Sequence, residues 1–158
     1  MSFSADGSKI AVIEAGSSGK AIIFDALNKY RPLVLDSGRV QKASFSSNGS
    51  RVVLVGADME IYDTVTGEML TRVKNCHHKW LAVTGVTHSA DGRYFATLQG
   101  SVVVWHAENG EMLLSTAKSV PGGGWPKQVA FTLDGAGLFM LSEYSGVTYW
   151  DLPPPSLE

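Results

Sequence analysis

Four apolar runs punctuate the chain: KIAVIEA from Lys9, RVVLVGA from Arg51, RYFATLQ from Arg93 and GLFMLSE from Gly137. Each is apolar at nearly every position, without in-out alternation. That pattern predicts strands covered on both faces, at about residues 9–15, 51–57, 93–99 and 137–143. A second run follows each one: AIIFD, MEIYD, VVVWH and VTYWD. These alternate better and predict further strands. Ahead of each first run stands Asp6-Gly7, Asn48-Gly49, Asp91-Gly92 or Asp134-Gly135. Such pairs tolerate the positive φ of a tight hairpin, so each is expected to join two antiparallel strands. The fold class expected is all-β, with negligible helix.

The same landmarks recur at a fixed offset. Gly7, Gly49, Gly92 and Gly135 are 42, 43 and 43 residues apart. Phe3, Phe45 and Phe131 precede three of them, with His88 in the remaining slot. An aromatic residue followed by a polar one marks the end of the next strand: Phe24-Asp25, Tyr62-Asp63, Trp105-His106 and Trp150-Asp151. The phrase TGEML at Thr66–Leu70 returns as NGEML at Asn109–Leu113, 43 positions on. It reads as a turn and a fourth, outer strand. The chain is therefore four copies of one unit, each a four-stranded antiparallel sheet, and such a period is that of a β-propeller blade.

With its Phe-Ser-x-Asp/Asn-Gly hairpins and aromatic-Asp pairs, Trp150-Asp151 being the literal Trp-Asp, the chain resembles the WD-repeat β-propeller family from Phe3 to Leu152. The repeats are divergent. The family's Gly-His pair is absent from every copy, although His78 lies near its expected place in repeat three. His106 replaces the Asp of the third Trp-Asp pair. The family's internal His-Asp hydrogen-bonding network is accordingly not expected here. The blades are expected at about 1–38, 39–80, 81–124 and 125–152, with a Pro-rich tail or cloning remnant over 153–158.

Repeat one retains only MSFS of its first strand, and repeat four runs after its third strand into PPPSLE. Prolines cannot donate to a sheet ladder. The expectation is a partial propeller, since the family's closed rings usually have about seven or eight blades. Its outer faces, with Ile10, Val12, Phe139 and Leu141, would be uncovered, and exposed apolar patches associate. The expected partners are thus a second copy, blade four meeting blade one, or the remainder of a larger propeller.

Composition changes this picture little. A formal charge of −2 and a pI near 6.1, with scattered basic residues, give no nucleic-acid footprint. No run approaches the roughly 18 apolar residues of a membrane span, and no signal peptide opens the chain. Cys76 is the single cysteine, which excludes an internal disulfide and fits a reducing compartment: the cytoplasm, with the nucleus also open.

Candidate chemistry is sparse. CHHKW at Cys76–Trp80 sets a thiol beside two imidazoles, but neighbours on a strand point apart and the spacing matches no common zinc pattern. It reads as a polar loop between blades. GSSGK at Gly16–Lys20 has neither nucleophile-elbow nor phosphate-loop spacing and reads as a hairpin loop. PGGGWP at Pro121–Pro126 opens no helix that would hold a phosphate. No catalytic residue, metal or cofactor is expected.

The resemblance implies that the loops between strands two and three share one face of the blades with the loops joining successive blades. Two of the latter carry His77, His78, Lys79 and Trp80 in one case and Trp125 and Lys127 in the other. Aromatic and cationic side chains together favour binding hot spots. Hence His77, His78, Trp80, Trp125 and Lys127 are the candidate partner-binding residues, the bland alternative being that the tryptophans plug blade rims. The expected function is a non-catalytic scaffold for protein partners. The alternatives are a fragment of a propeller enzyme, quinoprotein or lactonase-like, or a structural fragment without its own ligand.

Overall fold

The computed structural model describes residues 1–14, 19–27, 31–77, 81–116, 125–144 and 146–153, and among these it contains strands and turns but no helix. The first sheet comprises β1 (Ser2–Phe3), β2 (Lys9–Ile13), β3 (Lys20–Asp25) and β4 (Leu33–Asp36). The second comprises β5 (Val40–Phe45), β6 (Arg51–Gly56), β7 (Met59–Asp63) and β8 (Met69–Val73). The third is β9 (Gly85–His88), β10 (Tyr94–Leu98), β11 (Val102–His106) and β12 (Met112–Ser115). The fourth is β13 (Pro126–Phe131), β14 (Gly137–Ser142) and β15 (Gly146–Asp151). Strands follow one another in chain order within each antiparallel sheet. None closes into a barrel; the architecture is a series of propeller-like blades. The fourth sheet has three strands among the described residues, in line with a repeat that runs after its third strand into PPPSLE.

The Ser-x-Asp/Asn-Gly phrase is explained by one turn built four times. Gly7, Gly49, Gly92 and Gly135 each donate N–H to the carbonyl three residues back, at 2.9–3.0 Å, and have φ between 68° and 75°. The preceding Asp or Asn does not share the positive φ expected of it. It serves instead as an acceptor: Asp6 Oδ1 takes hydrogen bonds from Ser4 Oγ at 2.6 Å and Ser8 N at 3.0 Å. Those bonds, Ser4 first, hold the Asp6 carboxyl down at about 2. Asn48, Asp91 and Asp134 repeat the arrangement with Ser46, Ser89 and Thr132. The Asp of the aromatic-Asp pair does a second job. Asp63 Oδ1 accepts from Val65 N and Thr66 N at 2.8 Å and so closes the turn into β8.

The core consists of three layers, each between consecutive sheets. Every sheet has a forward face toward the following sheet and a rear face toward the preceding one. Between the first two sheets, Ala11, Ala21, Ile23 and Leu35 meet Phe45, Val52, Leu54 and Tyr62. Next, Val53, Val55, Met59 and Ile61 meet Phe95 and Trp105. Last, Tyr94, Ala96, Val102 and Val104 meet Leu138, Met140 and Leu152. Odd and even positions of one strand thus belong to different layers. This is why the second strand of each unit is apolar throughout.

The first strands of successive sheets, β1, β5, β9 and β13, neighbour one another along one side. The outer strands lie on the other side, where Met69, Leu70 and Met112 of the repeated Glu-Met-Leu phrase are exposed.

Candidate interaction face

The ends of the second strands, the starts of the third and the starts of the first lie on one edge of the blades. Glu143 N, just beyond β14, donates to Trp125 O, just before β13, at 3.2 Å. Gln99, just beyond β10, donates its Nε2 to Leu81 O in the connection entering the third sheet. Val83 N in turn donates to Gln41 Oε1 of the second sheet at 2.6 Å. The first two bonds close the rim within the fourth and the third blade, and the last one ties the third blade to the second.

Trp125 sits in this rim and is 56% exposed. One edge of its indole lies over Gly100, where a Cβ would come within 2.7 Å of Trp125 Cζ3, with Leu81 Cδ1 beside it at 3.6 Å. Gly100 has φ +70°, so the turn and the indole both require the missing side chain. The ring is therefore held in position while more than half of its surface faces out. Lys127, two residues on, reaches Glu143 Oε1 at 3.2 Å, an exposed ion pair of small energetic value. Tyr144 follows Glu143 and is 76% exposed. The structure thus sets Trp125 beside Leu81 over Gly100, and the Glu143–Tyr144 segment reaches the same rim through the Glu143 bonds to Trp125 and Lys127. Neither Leu81 nor Tyr144 was legible beforehand, because in the sequence Tyr144 looks like one more aromatic of a strand end.

His77, expected on this exposed rim, is instead buried. Its backbone N–H donates to Ala57 O at 3.2 Å, and its imidazole turns inward between the second and third sheets. There Trp105 Nε1 donates to Thr97 Oγ1 at 3.0 Å, and the same hydroxyl shares a hydrogen bond with His77 Nε2 at 3.0 Å. A Trp–Thr–His chain is thus built inside the third blade with His77. Its last link faces the Cys76 Sγ, 3.0 Å from His77 Nδ1. Burial holds the imidazole down at about 4 and pushes the Cys76 thiol up to about 11, so both are neutral at pH 7. His78 and Trp80 lie outside the described residues, as does most of the PGGGWP and GSSGK loops.

Below the rim, a cleft of about 630 Å³ runs between β9 and β13 and out over the fourth sheet. Thr84, Thr87, Gln128 and Lys127 supply its polar lining, and Phe139, Leu141 and Val147 much of its apolar wall. Lys127 is the charged residue among the lining side chains. Among the described residues no group of three His, Cys, Asp or Glu side chains is placed to hold a metal ion, and no helix is long and apolar enough to cross a membrane.

No protein-family model matches the chain, and no curated protein gives a significant sequence match.

Proposed function

We propose that the chain is a non-catalytic protein-interaction module, a divergent relative of the WD-repeat family acting in the cytoplasm or nucleus, whose protein partner docks on the rim of the third and fourth blades. The observation that carries this is Trp125: an indole seated on Gly100 yet more than half exposed, beside Leu81 and on the same rim as Lys127 and the Glu143–Tyr144 segment. A pre-positioned aromatic loses little conformational freedom on binding and presents a large apolar surface, as hot-spot residues do.

The chemistry nearby supports binding over catalysis. A nucleophilic cysteine requires a lowered pKa, and Cys76 is shifted the other way. General acid–base work in the cleft would require carboxylates or imidazoles converging on it, and its lining supplies one lysine.

The test is capture of protein partners from extract by the immobilised chain, comparing wild type with Trp125→Ala, Tyr144→Ala and Trp80→Ala. Loss of a hot-spot anchor costs about 2 kcal/mol, roughly thirtyfold in affinity. The expected result is that Trp125→Ala and Tyr144→Ala weaken capture to this degree while the thermal midpoint moves by a few degrees at most. Unchanged capture by both variants, or a collapse of stability in Trp125→Ala, overturns the reading.

A further inference from the structure

Between the second and third blades the chain departs from its own repeat. Four residues before the turn glycine, the first, second and fourth units carry Phe3, Phe45 and Phe131, and the third carries His88. Phe45 and Phe131 pack into the first and third layers. His88 packs on Phe95 of the second, with both ring nitrogens buried and without a hydrogen-bond partner. The backbone of Ser44 lies beside the ring but outside hydrogen-bonding geometry. A buried polar group left unpaired costs stability, so an imidazole in a phenylalanine position calls for an occupant that pairs it.

The turn of the second unit departs at two further positions. Ser47 stands where the other units have Ala5, Ala90 and Leu133, and Asn48 where they have Asp6, Asp91 and Asp134. His88, Ser47 and Asn48 all line one cavity of about 230 Å³. Buried Val53 and Ile61 lie on its inner side, and exposed Ser47, Asn48 and Ser50 toward solvent. At roughly 30 Å³ per water molecule, the space matches a phosphate or a short carboxylic acid with a few waters.

The lining has hydrogen-bond donors to spare. Asn48 Oδ1 already accepts from Ser46 Oγ at 2.8 Å, Ser50 N at 3.0 Å and Ser50 Oγ at 2.8 Å, so the side chain has its Nδ2 amide to offer. Ser47 Oγ lies against Gly92, where a Cβ would come within 2.8 Å of it. Arg51 reaches over to the third blade, Nη1 donating to Ala107 O at 3.1 Å, and that bond leaves the guanidinium further N–H donors. The acid in the lining, Asp91, is engaged within its own blade: Oδ1 accepts from Ser89 Oγ and Arg93 N, and Oδ2 pairs with Arg93 Nε at 2.6 Å. At Asn48 the exchange of the repeat's acid for an amide removes a negative charge from the cavity and adds donors.

From the unpaired imidazole, the convergence of three departures and the donor-rich lining, we infer that this cavity binds an oxyanion, the carboxylate or phosphate group of a small molecule. Arg51 is its countercharge, and Asn48 Nδ2, Ser47 Oγ and the N–H of His88 are its hydrogen-bond donors. The cavity lies among the turns that join first and second strands, on the edge of the blades opposite the loop rim proposed for the protein partner. Neither reading depends on the other.

Titration of the purified chain with inorganic phosphate and, separately, with acetate at constant ionic strength tests the inference. Binding is followed by NMR, through the imidazole C–H signals and the backbone amides of the two turns. Three variants each restore the residue that other repeats carry: His88→Phe, Asn48→Asp and Ser47→Ala. Circular dichroism establishes that each is folded, and the remaining variants carry the test if one is not. The expected result is a saturable shift of one imidazole signal at millimolar anion, that signal being absent from His88→Phe. Loss of a hydrogen bond to a charged ligand weakens binding about tenfold or more, the effect expected in His88→Phe and in Asn48→Asp, where a carboxylate also opposes the anion. Ser47→Ala should weaken it severalfold. Saturation by phosphate alone assigns the site to phosphate groups, and saturation by acetate alone to carboxylates. No saturable shift with either anion overturns the inference, as does an affinity left unchanged by His88→Phe and Asn48→Asp.

Discussion

Val53 and Phe139 stand at the same position of the repeat, four residues after a turn glycine and on the middle strand of their sheets. Val53 is 1% exposed, packed among Val55, Ile61 and Phe95, whereas Phe139 is 44% exposed. The more apolar of the two residues is the one that faces water. In a stacked-sheet molecule, burial is a property of the neighbouring sheet rather than of the residue, because each unit buries its faces only against adjacent units. The contrast separates two energetic regimes. The layer between the second and third sheets holds the chain together, while the open face of the fourth sheet adds little to its stability.

The largest expected effect breaks this contrast directly. Phe95→Ala, in the centre of the second layer with no exposed surface, should cost about 3–5 kcal/mol of unfolding free energy. Phe139→Ala, the same change on the open face, should stay within about 1 kcal/mol. Denaturant titration at low protein concentration checks both. Equal losses would mean that the face of the fourth sheet is covered in solution.

A second substitution sharpens the account of the middle layer. The repeat positions matching Thr97 are held by Val12 and Leu54, so Thr97→Val restores the apolar pattern of its own repeat. It also removes the hydroxyl that receives Trp105 Nε1 and faces His77 Nε2. Leaving those groups unpaired in a buried site should cost about 1–3 kcal/mol, measurable by the same titration.

The pH dependence follows from two buried imidazoles. Burial lowers both His77 and His88 from 6.5 to about 4. Because the folded values lie below the unfolded one, the unfolded chain takes up protons first as pH falls. The stability these neutral side chains permit is complete above about pH 6.5 and is lost progressively toward pH 4. His88 occupies the slot filled by phenylalanine in the other three repeats and packs on Phe95 at 5.6 Å. His88→Phe should therefore make the fall between pH 6.5 and 4 shallower and raise stability at pH 7 by about 1 kcal/mol. An unchanged pH profile in that variant would show that His88 does not contribute to it.

The smallest expected effect belongs to the rim. Trp125→Ala should lower stability by about 0.5–1 kcal/mol, through lost contact with Gly100 and Leu81 alone. A loss on the scale of Phe95→Ala would class Trp125 with the core.

The four units, their period, the turn glycines and the second strands were legible in the chain. These rest on local physics: a positive φ calls for glycine, and a strand buried on both sides is apolar at every position. Strands expected at about 51–57 and 137–143 are found at Arg51–Gly56 and Gly137–Ser142. The exposure of Phe139 and Leu141 was also expected, and the two side chains are 44% and 40% exposed on the fourth sheet.

What the sequence could not resolve was which side chain of a loop turns inward. Nothing local in CHHKW marks His77 for the interior; its partners Thr97 and Trp105 lie 20 and 28 residues further on. Likewise, Trp125 becomes a seated, outward-facing ring only because Gly100, in the neighbouring blade, lacks a Cβ to push it away. Period and hydrophobicity act over a few residues and so are written in the chain. Partner choice between loops is set by which blade rims the stacking of sheets brings together, and that is decided in the tertiary structure.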